Sequence, residues 1–167
     1  MLSLMIAAQA LSGSAAAMPV PACRPMQLRL ALDGRDGDFN GMSHAGTALS
    51  VRNVGADCTL PALPIVSFRD ARGKPLPASR SVPIGMHPGP VMLPVRLAGG
   101  HRAVAELRWV AGPVFAQNRS VKAASLTMHF GKAILRAWVA AVLYGEANKA
   151  VTFEQTPFHV AEGMARN

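Results

Sequence analysis

The chain has 167 residues, half of them hydrophobic, with 17 basic against 9 acidic side chains and a formal net charge of +8. That length suits one domain with a single core and leaves little room for a second. The thirteen arginines form no run of like charge, and the nine aromatic residues are not interleaved with them. This argues against a specific nucleic-acid platform and for a basic, solvated surface with a loose attraction to polyanions.

From the N-terminus, Leu2 to Leu11 is apolar except for Ser3 and Gln9, and it passes through Ser12-Gly13-Ser14 into Ala15-Ala16-Ala17. That is the layout of a signal peptide's apolar region and cleavage site, although no Lys or Arg precedes it. Cleavage after Ala17 makes 1–17 a signal peptide, 18–162 a single mature domain and 163–167 a flexible tail. As an anchor the run is too short, since a spanning helix needs about 20 apolar residues. Cys23 follows, and Cys58 is the only other cysteine. In an exported chain a Cys23–Cys58 disulfide is the economical expectation, stabilising the fold by roughly 3 to 4 kcal/mol in the chain-entropy model. The competing reading makes Val20-Pro21-Ala22-Cys23 a lipidation signal, which the proline and the polar break before it disfavour.

Beyond Cys23 the apolar residues alternate with a period of two. Met26, Leu28, Leu30 and Leu32 share a face, as do Leu49 and Val51; Leu93, Val95 and Leu97; Ala103, Ala105, Leu107 and Trp109; and Ala124, Leu126, Met128 and Phe130. Turn residues lie between these segments, at Asp33-Gly34 through Gly41, Asn53-Val54-Gly55, Asp70 to Gly73, Pro83 to Pro90 and Gly99-Gly100. The pattern predicts an all-β antiparallel β-sandwich of about seven strands, each with one wet face. Ala133 to Tyr144 is ambiguous: Ile134, Leu135, Trp138, Ala141 and Val142 form a helical stripe, yet the run also suits a strand, which we favour. Leu28, Leu30, Leu49, Val51, Val95, Leu107, Trp109, Leu126 and Phe130 are expected to face inward.

Three constellations can carry binding chemistry. Asp36-Gly37-Asp38-Phe39-Asn40-Gly41 opens like a calcium loop, with Asp36, Asp38 and Asn40 as candidate ligands, but Thr47 stands where the closing Glu belongs. A turn built from Asp, Asn and Gly is the simpler account. Met42 with His44 and Met86 with His87 offer thioether and imidazole ligands of the kind Cu(I) takes. Met128 and His129 also adjoin, but a strand sends them to opposite faces. Arg29, Arg52, Arg96 and Arg108 all fall at wet-face positions and can bind an anionic envelope polymer or an anionic membrane surface. No nucleophile elbow, zinc-binding helix or phosphate-cradling loop is present, so no catalytic residue and no cofactor is assigned.

The order of these features resembles the secreted bacterial proteins grouped as domain of unknown function 4232. The resemblance rests on Cys23, the Gly34 to Gly41 loop, the strand Ala48 to Arg52 with Asn53-Val54-Gly55, Cys58-Thr59-Leu60, the Pro61 to Pro64 turn, and Gly99-Gly100 leading to Leu107-Arg108-Trp109. It spans about Cys23 to Phe158, and the second cysteine pair of many members is missing. It implies an immunoglobulin-like sandwich in a periplasmic or secreted setting, with no established catalytic activity. The leading expectation is therefore an exported, non-catalytic binding or envelope-associated module. A periplasmic copper carrier using the Met and His pairs is the alternative.

Overall fold

The computed structural model describes residues 19–81, 92–131 and 133–161, with the backbone alone of Asp36. The expected signal peptide, the Pro83 to Pro90 stretch with Met86 and His87, and the 163–167 tail lie outside the described residues.

Among the described residues eleven strands follow one another: β1 Leu28–Asp33, β2 His44–Asn53, β3 Cys58–Leu60, β4 Ile65–Arg69, β5 Ala78–Arg80, β6 Val95–Leu97, β7 Arg102–Val110, β8 Asn118–Phe130, β9 Ala133–Glu146, β10 Val151–Gln155 and β11 His159–Val160. That exceeds the expected seven or so. The unforeseen ones, β3, β4, β5, β10 and β11, have two to five residues each, too few to leave a legible period. A six-stranded sheet runs β1-β2-β7-β10-β5 with β11 beside β7, a second sheet runs β4-β8-β9, and β3 pairs with β6. All pairings between strands are antiparallel except β10 with β5.

The two larger sheets close on a shared core, which makes the fold a β-sandwich. Alternation delivers Leu28, Leu49, Val51, Leu107 and Trp109 from the large sheet and Phe68, Leu126, Met128 and Phe130 from the smaller one, all buried. Phe68 on β4 stands edge-on to Trp109 and to Phe153 at centroid distances of 5.8 and 5.1 Å, an arrangement aromatic quadrupoles favour. Leu30 and Val95 pack against this core only in part. Met26 does not join it: it falls in the short 3-10 turn Pro25–Gln27 ahead of β1 and is 79% exposed, and Leu93 is exposed too.

The ambiguous segment is a strand, β9, so its even-numbered residues turn outward and Trp138 leaves the helical stripe for solvent. On β8 a bulge between Ala123 and Ser125 shifts the alternation. Ser125 and Thr127, expected on a wet face, are buried because two arginines lie over them: Arg136 donates to Ser125 Oγ, and Arg69 Nε to Thr127 Oγ1.

Cys23 and Cys58 are joined, with Cα atoms 4.8 Å apart. The chain around Cys23 runs beside β3 in parallel, Cys23 N donating to Thr59 O and Thr59 N to Pro21 O. The bond therefore fastens the segment before β1 to the start of β3.

Candidate anion-binding surface

Register brings together arginines that are far apart in sequence. Arg29 on β1 lies directly opposite Arg52 on β2, and Arg52 lies directly opposite Arg102 on β7. Directly opposed residues share a face, and neighbouring strands are about 4.8 Å apart, so three guanidinium-bearing side chains spring from a backbone row about 10 Å wide. The flanking Leu28, Val51 and Ala103 are buried, which turns all three arginines outward, and all three are exposed. Arg29 is held at its end of the row, its NH1 donating to the carbonyls of Met26 and Leu28 at 2.9 and 3.0 Å.

Like charges opposed across strands destabilise a sheet unless something offsets them. Among the described residues none of the three pairs with a carboxylate. Among the described residues, the acids on the same face are Asp33 and Glu106, four residues along their strands from Arg29 and Arg102, about 13 Å at strand rise, and Glu154, farther off opposite Arg108. Glu106 is already bound to Arg35 at 2.9 Å, and Arg35 in turn lies over the Phe39 ring. Phe39 is buried against Gly46, where an added Cβ would strike the Leu107 carbonyl and the Phe39 ring. The Gly34 to Gly41 loop thus covers one end of this face and leaves the arginine row open at the other.

The four arginines expected to act together are divided. Arg29 and Arg52 meet, whereas Arg108 lies opposite Glu154, six residues from Arg102 and so about 20 Å away. Arg96 belongs to the β3–β6 pair and is bound to Asp57 at 3.1 Å. Asp57 also accepts the Gly99 amide at 3.1 Å; that bond first, and Arg96 second, hold its carboxyl below the usual aspartate range. Arg102 was not anticipated, because it follows the Gly99-Gly100 turn and only the pairing of β2 with β7 places it in line.

The other candidates lie apart from the row. Asp38 and Asn40 sit in the turn after the 3-10 segment Arg35–Gly37, and Asn40 N donates to Gly37 O. Met42 and His44 are exposed at the start of β2, where His44 Nδ1 is 3.1 Å from the Met42 carbonyl oxygen. Met128 is buried, and His129, on the opposite face, has its Nε2 3.2 Å from Thr127 Oγ1. Among the described residues no three His, Cys, Asp or Glu side chains gather as a metal site.

The family model described as a domain of unknown function (DUF4232) matches residues 23–154. No curated protein and no solved structure gives a match.

Proposed function

The chain belongs to the DUF4232 family, a domain of unknown function, and from that premise we propose that it is an exported binding module whose Arg29–Arg52–Arg102 row holds an anionic polymer of the cell envelope. The row carries the proposal. A sheet that sets three cations side by side, with no acid among the described residues to offset them, is relieved when phosphate or carboxylate groups arrive from outside. Arginine suits that task, since its planar fork donates to such oxyanions in pairs. The role is binding rather than catalysis, and the periplasm or the outside of a bacterial cell is the setting that fits the Cys23–Cys58 bond.

Heparin and polyphosphate are suitable probes. If all three arginines engage a linear polyanion, affinity falls with a log–log salt slope of about −2 to −3, so that raising salt fourfold weakens binding roughly 20- to 60-fold. Replacing Arg29, Arg52 and Arg102 together with serine lowers the salt at which heparin releases the protein, by more than the loss of any three other arginines, and leaves the melting temperature intact, while Arg96→Ser and Arg108→Ser variants elute close to the wild type. Equal salt elution of the triple variant and the wild type overturns the proposal.

A further inference from the structure

We infer that the opposite side of the sandwich, the outer face of β4-β8-β9, is a docking surface for an anionic lipid bilayer. Along β9 the outward positions are Ile134, Arg136, Trp138, Ala140, Val142 and Tyr144, five apolar or aromatic residues around one cation. Register sets Ile65 of β4 and Ile134 of β9 on either side of His129, and Arg69 and Trp138 on either side of Ser125. Trp138 is 76% exposed, Ile65 67% and Ile134 56%, all clustered on one sheet face rather than scattered. A strand apolar on both faces belongs under a cover.

The charges on this face select the cover. Arg69 donates to Thr127 Oγ1 and the Gly73 carbonyl, and Arg136 donates to Ser125 Oγ and lies 5.4 Å from the Trp138 ring centroid. All these acceptors are neutral, so among the described residues neither guanidinium is compensated, and each keeps free N–H donors. Lys122, opposite Val142, adds a third cation. Of the acids near the edges, Glu146 is bound to Lys149, and one oxygen of Asp70 accepts the Arg72 and Lys74 amides of its own turn. A second copy seated here would bring cation against cation. A bilayer with anionic headgroups supplies the opposite charge and an apolar layer for the Trp and Ile side chains, the mixture that interfacial anchors use.

The test uses vesicles of phosphatidylcholine alone and of phosphatidylcholine with phosphatidylglycerol. Trp109 is buried, so a change in the red-shifted emission reports Trp138. The wild type is expected to co-sediment with the anionic vesicles only, with a blue shift of Trp138. Ile134→Ser combined with Trp138→Ser should weaken binding roughly tenfold or more, whereas the serine triple variant of the arginine row should bind vesicles like the wild type. The last result separates this surface from the polymer site. No sedimentation, an unshifted Trp138, wild-type binding by the Ile134/Trp138 variant, or a solution dimer abolished by Trp138→Ser would each overturn the inference.

Discussion

At the scale of single residues, two polar side chains hold the β2–β3 corner. Asn53 is fully buried yet saturated: its Nδ2 donates to the carbonyls of Ala56 and Leu97, and its Oδ1 accepts from Gln27 Nε2 and the Gly55 amide. Asn53→Ala leaves the Leu97 carbonyl without this partner in the interior and should cost about 2 to 4 kcal/mol, read by urea denaturation. Asp57, one turn on, ties the β6 end through Gly99 and Arg96. Because its folded-state pKa is depressed, its stabilising contribution is present above the ordinary aspartate range and is lost as the pH falls through that range to the lower folded value. Thermal melts taken from neutral pH downward should therefore decline less steeply for Asp57→Asn than for the wild type. From the sequence, Asn53-Val54-Gly55 is legible as a turn; the burial of its first residue is not, since that depends on Gln27 and Leu97 closing over it.

Among elements, alternation foretells face but not register. Leu28, Leu49, Val51 and Leu107 are legible as inward, and Arg29 and Arg52 as outward, because parity within a strand is local. That Arg102 completes their row depends on which residues of β2 and β7 meet, which no local pattern encodes. Arg96 and Arg108 share the outward parity and still fall elsewhere. Trp138 escaped for a different reason: β9 is apolar on both faces, so periodicity cannot choose between helix and strand, or between core and surface. The row itself predicts a trade between stability and binding. Arg52→Thr removes the cation that faces two others and supplies a residue with good strand propensity, so it should leave stability unchanged or raise it by about 0.2 to 1 kcal/mol. In the same protein, heparin should elute at lower salt. A clear loss of stability would mean that Arg52 has a structural partner, and the row would lose its meaning as an unsatisfied site.

For the whole molecule, one covalent tie fastens the first hairpin to the rest of the fold. The Cys23–Cys58 bond closes a span of 35 residues that includes the whole β1–β2 hairpin, and among the described residues β1 stands at the edge of its sheet, paired there with β2 alone. The hairpin supplies two of the three row arginines, so the tie also helps to fix where that row stands. Replacing both cysteines with serine restores about 3 to 4 kcal/mol of chain entropy to the unfolded state, against a total that is typically 5 to 15 kcal/mol for such domains. The double variant should still fold, with a denaturation midpoint lowered accordingly, and the wild type treated with reductant should fall to the same midpoint. Loss of stability on this scale gives the molecule a reason to mature where thiols oxidise. A variant as stable as the wild type would take away the physical basis for placing it outside the cytoplasm, while leaving the arginine row and the Trp138 face to be judged by their own experiments.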